Sequence, residues 1–279
     1  MIIDFHTHSH ASDGALSPAE LIDQAIAAGV CQFAITDHDT VAGYREALDE
    51  RPELPPGFRL VPGVELSCVW SNMTIHVVGL NLDVDHPVLL AAMERLDAAR
   101  RERAEIIAQK LDKIGIAGAL DGALAEAGVS QVGRPHFASW MIAAGHVKDA
   151  NQAFDKYLGA GKLGDVKTCW PELEEVVEWI TAAGGTAILA HPLKYKMTRM
   201  KLRRLLTAFQ GAGGEGLEVY SGRQTPDQTI DLCKLADDFG LVVSAGSDFH
   251  QHYDYGPRLG VDVTRLPAFV ELFRAGAGP

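Results

Sequence analysis

Met1-Ile-Ile-Asp-Phe-His-Thr-His-Ser9 opens the chain, and its reading decides the fold. Ile2, Ile3 and Phe5 read as a buried strand that runs into His6-Thr7-His8. Histidines at i and i+2 of an extended strand point to one face, so both imidazoles can reach one ion. Asp13 follows within a turn. A His-x-His pair alone is a weak signal. Its weight depends on what the other strands carry.

Working outward, Ser17-Pro-Ala-Glu20 reads as a helix start, with Ser17 as N-cap, Pro18 at the first helical position and Glu20 completing a capping box. Cys31–Thr36 is a second strand ending in Asp37-His38-Asp39. A helix over Val41–Glu50 leads to a third strand, Arg59–Leu66, carrying Glu65. Pro62-Gly63 is expected to bend or bulge it. Thr74–Leu80 is a fourth strand, with His76. Strand–helix alternation then gives way to helical pattern from about Val88 to Ala183. Leu89–Ile114 is long and amphipathic, with Arg100, Arg101 and Arg103 expected on exposed turns. Shorter helices follow near 120–127, 136–144 and 151–157, and Gly159-Ala-Gly-Lys-Leu-Gly164 reads as a loop. Alternation resumes with a helix over 172–183 and the strand Thr186–Ala190, ending in His191-Pro192. A basic helix (200–210), the strand Gly216–Tyr220, a helix (226–239) and the strand Leu241–Ala245 complete the pattern. The last strand leads into Gly246-Ser-Asp-Phe-His250. The tail Ala275–Pro279 reads as frayed.

Seven strand–helix units, with parallel strands implied by the helices between them, predict an α/β barrel. Residues 1–87 and 184–279 would form the barrel, and 88–183 a mainly helical insertion beside its mouth. Barrels of this kind place their chemistry at the carboxyl ends of the strands. His6, His8, His38, Glu65, His76, His191, Asp248 and His250 all fall in or just after predicted strands. The Gly216–Tyr220 strand reads as the one without a ligand, ending in Arg223 instead.

Composition narrows the class. With 279 residues and 47% hydrophobic content, the chain has ample core for a globular protein. No apolar run approaches a membrane span, and the start lacks the basic-then-apolar shape of a signal peptide. Cys31, Cys68, Cys169 and Cys233 make no zinc or redox spacing and read as reduced thiols of a cytoplasmic protein. A formal charge of −12 argues against a stable, non-specific grip on nucleic acid. It leaves room for one anionic substrate held locally.

With Asp13 the constellation numbers six histidines and three carboxylates. Imidazole and carboxylate without thiolate suit Mn²⁺, Fe²⁺ or Zn²⁺, and nine ligands are too many for one ion. Three divalent ions against three carboxylates would leave the pocket at about +3, a trap for phosphate inside an acidic protein.

Together, His6-x-His8, Asp13, Asp37-His38, Glu65, His76, His191-Pro192 and Ser247-Asp248-x-His250 resemble the PHP (polymerase and histidinol phosphatase) family of metal-dependent phosphoesterases. That resemblance implies a distorted (β/α)7 barrel with a trinuclear site, Mn²⁺ being the first expectation. It implies His6, His8, Glu65 and Asp248 on one ion and Glu65, His76 and His191 on a second. Asp13, His38 and His250 would hold the third, and Asp248, His191 and Glu65 would be the catalytic residues. The nucleophile would be a water whose pKa the ions lower, and Asp37 is one candidate for the general acid. Gly133-Arg-Pro-His-Phe-Ala138, Lys162 and Tyr220-Ser-Gly-Arg223 resemble the stand-alone bacterial members acting on nucleoside 3′,5′-bisphosphates and short oligonucleotides. In that light Arg134, His136, Lys162 and Arg223 would bind substrate, Arg134 through a bidentate fork. The expected activity is removal of the 3′-phosphate, with 5′→3′ degradation of short RNA at the same site. Histidinol-phosphate phosphatase is the alternative.

Blander readings stand beside these. His10, His86, His146 and His252 fit no ligand position and read as surface, although His252 lies near the mouth. Arg134 and His136 could simply cap and pack the insertion. Lys194, Lys196, Arg199, Lys201, Arg203 and Arg204 read mostly as a solvated helix face, although Lys194 and Tyr195 lie close behind His191. A polymerase-associated module, a non-catalytic metal binder and an amidohydrolase of carbon substrates are the competing classes. The chain has no polymerase domain, and nine ligands fit the one or two ions of an amidohydrolase less well.

Overall fold

Ile2–Asp4 (β1) joins near and distant parts of the chain, pairing with Gln32 and Phe33 on one side and with Val261 and Asp262 on the other. The computed structural model describes residues 1–254 and 256–266; the tail Ala275–Pro279 lies outside them. In order, the elements are β1, α1 (Pro18–Ala27), β2 (Gln32–Ile35), α2 (Ala42–Glu50), β3 (Arg59–Trp70) and β4 (Met73–Leu80). Then come α3 (Pro87–Asp112), α4 (Ala119–Ala127), α5 (Arg134–Ala143), α6 (Ala150–Ala153) and α7 (Leu173–Ala182). The chain finishes with β5 (Thr186–Leu189), α8 (Arg199–Gly211), β6 (Gly216–Ser221), α9 (Pro226–Phe239), β7 (Val242–Gly246) and β8 (Val261–Asp262). The α1 capping box forms as its sequence requires: Glu20 N–H donates to Ser17 Oγ at 3.3 Å and Ser17 N–H to Glu20 Oε2 at 2.9 Å.

The sheet runs β7-β6-β5-β4-β3-β2-β1-β8, and its ends approach one another beyond β1. There Phe5 N–H donates to Ala245 O at 3.2 Å, Asp248 N–H to His6 O at 2.8 Å and His8 N–H to Phe249 O at 2.9 Å. The barrel is thereby nearly closed. Gly246 permits the approach, since a Cβ there would lie 2.3 Å from the Cβ of His6.

Two features differ from the uniform parallel pattern that the sequence suggests. β4 runs antiparallel to both β3 and β5, and β8 antiparallel to β1. Ser71 and Asn72 make the β3–β4 turn, both at positive φ (47° and 58°), the geometry of a tight hairpin. Pro62-Gly63 neither bulges nor interrupts β3. Arg59–Pro62 pair with β2 and Gly63–Trp70 with β4, so the pair marks the point where β3 changes partner. Proline's missing N–H costs no ladder bond there.

Residues between β4 and β5 divide between two cores. Leu89, Leu96 and Ala99 of α3 pack with the barrel-side cluster, together with Leu173, Val176, Val177 and Ile180 of α7. Ala104, Ile107 and Leu111, farther along α3, pack with α4, α5 and α6 around Phe137 and Met141. Arg100 and Arg103 lie between the two cores and are buried, 6% and 5% exposed, rather than on open turns. Only Arg101 faces solvent, paired with Asp97. Among the described residues no helix is long and apolar enough to cross a membrane.

Candidate metal centre

Glu65 occupies the middle of the barrel mouth, fully buried, and turns its two carboxylate oxygens toward different histidines. Oε1 lies 3.0 Å from His76 Nδ1 and 2.9 Å from His191 Nε2. Oε2 lies 3.2 Å from His6 Nε2, 3.3 Å from His8 Nε2 and 3.0 Å from His38 Nδ1. Asp248 Oδ1 adds a second carboxylate beside His6 and His8, at 3.7 and 3.3 Å. Asp13 sits farther out, with His38 Nε2 at 3.8 Å and His250 Nε2 at 3.4 Å.

All nine residues singled out in the sequence thus converge. They form four overlapping sets whose ligand atoms lie within 4.8 Å of one another: His8/Asp13/His38/His250, His6/His8/Asp248, His6/Glu65/His191 and His38/Glu65/His76. His6 Nε2, both nitrogens of His8, His38 Nδ1 and Glu65 Oε2 are buried with no hydrogen-bond partner. Orphaned, inward-facing donor atoms of this kind are costly unless something binds them. Imidazole and carboxylate sets of three or four fit divalent ions.

The elements deliver these side chains for local reasons. His6 and His8 alternate with Thr7 just past β1, and Thr7 turns the other way to donate to Ala34 O at 2.8 Å. His191 and Asp248 take positive φ (28° and 53°) immediately after β5 and β7. Such backbone costs about 1–3 kcal/mol per residue and is tolerated where function over-determines it.

Charge is divided unevenly among these residues. Burial opposes protonation of His6, but Glu218 and Glu65 overcome it and push its pKa up to about 10. Burial, with His250 and His38 alongside, holds His8 well below the usual histidine range. Burial also lowers His250, to about 4, against the pull of Asp13. Burial would raise Glu65, yet His38, His6 and His76 keep it ionised.

Sequence reasoning missed Glu218, Asp4 and Asp39 behind the cluster, and named Asp37 only as a candidate general acid. Glu218, in the middle of β6, belongs to none of the four sets but supports two of their members: Oε1 accepts from His6 Nδ1 at 2.9 Å and Oε2 from His191 N–H at 2.6 Å. A lone acid inside Gly-Leu-Glu-Val-Tyr was the available signal. Asp4 accepts N–H bonds from Ser247 at 2.7 Å and Gly260 at 2.8 Å, fixing the approach to Asp248. Asp37 is occupied by Ser9 and Ser12, which donate to it at 2.5–2.7 Å. Asp39 joins Ser67 N–H at 2.6 Å to Arg100 Nε at 2.6 Å. Lys194, read from sequence as part of a solvated face, contacts Asp248 Oδ2.

Three cavities surround the cluster. One of about 550 Å³ is lined by Asp13, His191, Lys194, Arg223, Asp248 and His250, with Tyr253 at its edge. A central one of about 340 Å³ touches Glu65, His76, Arg134, Lys167, Lys194 and Asp248. A smaller chamber of about 120 Å³ opens beside His38 and His76. Arg134 faces the second and third, donating to Leu158 O at 3.0 Å. Arg223 faces the first. His136 instead closes the start of α5, its Nδ1 accepting from Gly133 N–H at 3.0 Å. Lys162 is exposed and lines none of these cavities, whereas Lys167 of the same loop does, paired with Asp165 at 2.9 Å. His252 bonds Gln24 rather than facing the cluster.

A family model described as the PHP domain matches residues 4–180. A 5′-3′ exoribonuclease of Haemophilus influenzae is 46% identical over 247 residues, covering 88% of this chain and 89% of its own. A 3′,5′-nucleoside bisphosphate phosphatase of Chromobacterium violaceum is 42% identical over 259 residues, covering 92% and 90%. Among solved structures, an amidohydrolase of Chromobacterium violaceum with bound sulfate and no metal superposes with a TM-score of 0.84 at 40% identity, covering 95% and 92%. A Bifidobacterium adolescentis protein inferred to be a metal-dependent phosphoesterase superposes with a TM-score of 0.78 at 29% identity, covering 96% of each chain.

Proposed function

The chain belongs to the PHP domain family, and from that premise we propose that it is a metal-dependent phosphoesterase removing the 3′-phosphate of nucleoside 3′,5′-bisphosphates. Short RNA, degraded 5′→3′, is the second substrate of the same site. The carrying observation is Glu65, whose two oxygens each face their own histidines within one nine-residue cluster. The names of the Haemophilus and Chromobacterium relatives support the substrate class.

We assign His6, His8, Glu65 and Asp248 to one ion, Glu65, His76 and His191 to a second, and Asp13, His38 and His250 to a third, with Mn²⁺ first and Fe²⁺ or Zn²⁺ as alternatives. Such ions, when bound, supply Lewis acidity toward phosphate oxygens and lower the pKa of water. The chain's own residues do the rest. Glu218 fixes the His6 ring so that Nε2 faces inward, and Glu65, Asp248 and His191 orient the reacting phosphate through the cluster. Arg134 and Arg223 approach the substrate from two adjoining cavities, with Lys167 lining the same one as Arg134. His136 acts through the start of α5, and Lys162 stands outside the pocket. Residues 1–87 and 184–279, of which 267–279 lie outside the described residues, make the barrel unit of this proposal, and 88–183 the insertion that walls the site and returns through α7. Cys31, Cys68, Cys169 and Cys233 are all free thiols, which suits a cytoplasmic enzyme.

Phosphate release from 3′-phosphoadenosine 5′-phosphate by Mn²⁺-loaded protein tests this reading. The expected products are phosphate and the 5′-nucleotide. Faster turnover of histidinol phosphate would overturn the substrate assignment while leaving the metal site standing.

A further inference from the structure

One stretch of this acidic chain reverses its charge. No Asp or Glu occurs between Glu178 and Glu215, and Lys194, Lys196, Arg199, Lys201, Arg203 and Arg204 all fall inside that interval. Lys194 contacts Asp248 and Arg203 pairs with Asp238 at 2.6 Å; the other four make no ion pair among the described residues. Arg204 Nη2 reaches Met200 Sδ at 3.9 Å, a weak acceptor for a guanidinium. Arg199 and Lys201 occupy the first turn of α8, which carries no acid to offset them. Cations there oppose the helix dipole as well as one another. Folding alone does not favour the arrangement.

Beside these cations runs a groove of about 460 Å³, lined by Trp70 and Ser71 of the β3–β4 hairpin and by Thr198, Met200, Lys201 and Arg204 at the start of α8. Met200 is 67% exposed and Trp70 partly so, which leaves a thioether and an indole accessible next to positive charge. The same two segments connect the groove to the barrel mouth, because Met73, Thr74, Lys194 and Tyr195 line the central cavity over the metal cluster. A groove that combines cations with an aromatic ring suits single-stranded nucleic acid, whose phosphates meet the charges while a base stacks. A lipid surface calls for an apolar face that projects between headgroups. Trp70 instead lines a recess and packs partly against the barrel-side core.

We infer that this groove holds the 3′ portion of an RNA substrate while its 5′ end occupies the metal mouth, with Lys201 and Arg204 on its phosphates and Trp70 against a base. The inference rests on the short-RNA reading above. The groove takes no part in hydrolysis; it lengthens the stay of an oligonucleotide. A bisphosphate ends at its reacting phosphate and does not reach it. Preference between the two substrates proposed for the site therefore depends on residues outside the mouth.

The test measures kcat/KM of the Mn²⁺-loaded enzyme on 3′-phosphoadenosine 5′-phosphate, a 5′-phosphorylated diribonucleotide and a 5′-phosphorylated decaribonucleotide, over a range of salt. Lys201→Gln combined with Arg204→Gln should lower the value for the decaribonucleotide about fivefold or more at low salt. Its log–log salt slope should fall by about 1.4, since each single-strand phosphate contact contributes about 0.7. The bisphosphate and the diribonucleotide should be turned over as by wild type. Trp70→Leu should weaken the decaribonucleotide alone, by a smaller factor. Arg203→Glu makes the same change in net charge outside the groove and should leave all three substrates near wild type. Equal losses on every substrate, or a matching loss in Arg203→Glu, would overturn the groove assignment while the phosphoesterase reading stands. Unchanged kinetics on the decaribonucleotide would overturn it too. If phosphatidylglycerol vesicles then co-sediment with wild type and not with the double variant, the patch is a lipid contact instead. Failure of wild type to shorten either RNA while it hydrolyses the bisphosphate would remove the RNA reading itself, and the groove assignment with it.

Discussion

Glu218 accepts the Nδ1–H of His6 at 2.9 Å, in a pair that is almost wholly buried. The carboxylate accepts here, so Nδ1 keeps its proton, and Nε2 is the ring atom that would give up its own to a metal ion in the cluster. Carboxylate–histidine pairs of this kind orient a metal-binding ring and raise its basicity. Glu218→Gln should therefore weaken divalent-metal affinity about 10–100-fold while the fold persists. Isothermal titration with Mn²⁺ measures this; unchanged affinity would show that the pair only packs.

Glu65 faces five histidines with two oxygens. Glu65→Gln keeps the shape and removes the charge. It should lower the number of ions retained per chain and reduce turnover by at least about a hundredfold. Elemental analysis after gel filtration gives the first quantity independently of the second. Full metal content in this variant would contradict a shared, bridging role.

Arg100 and Arg101 are neighbours with opposite fates. Arg100→Met leaves Asp39 buried without its partner, which should cost about 3–5 kcal/mol. Arg101→Ala removes only a surface pair and should stay within about 0.5 kcal/mol of wild type. Denaturant unfolding distinguishes the two, and similar losses would mean that Asp39 finds another partner.

His136 supplies a titratable cap for α5. Burial, with Arg100 nearby, lowers its pKa from 6.5, and the neutral ring accepts the Gly133 N–H. Its contribution is therefore complete above about pH 6.5 and is lost as pH falls through the lower folded-state value. His136→Gln can make the same bond without titrating. The stability difference between the two proteins should move against wild type between pH 7 and pH 5. A flat difference over that range would exclude the cap.

Lys167 and Lys162 share a loop, yet only Lys167 lines a cavity. Lys167→Ala should raise KM for a nucleotide several-fold, and Lys162→Ala should leave it unchanged. Steady-state kinetics with both variants settles which lysine meets the substrate.

Much of the site was legible because ligand chemistry is local. His6-x-His8, Asp37-His38, His191-Pro192 and Ser247-Asp248 each follow an apolar strand, and strand ends in a barrel meet at one mouth. The relations between elements were less legible. Ser71-Asn72 contains no glycine to announce a hairpin, so the reversal of β4 was hidden. Arg100 and Arg103 carry the charge of a solvent-facing stripe, but α3 is covered on more than one side. Glu218 was overlooked for a similar reason: its value depends on His6, more than two hundred residues earlier in the chain.

The reversal of β4 sets a length. A strand running backwards ends at the floor of the barrel, where Asp83 N–H meets Ala183 O just before β5 begins. From there α3 climbs the outside wall and passes the rim, an uninterrupted helix of about 39 Å. Its 26 residues thus serve as a ruler. Arg100 meets Asp39 at the height of the rim because it lies thirteen positions beyond Pro87. Adding or deleting a single residue below Arg100 would rotate the guanidinium groups by about 100° around the helix, turning the same side chains away from the site they now reach.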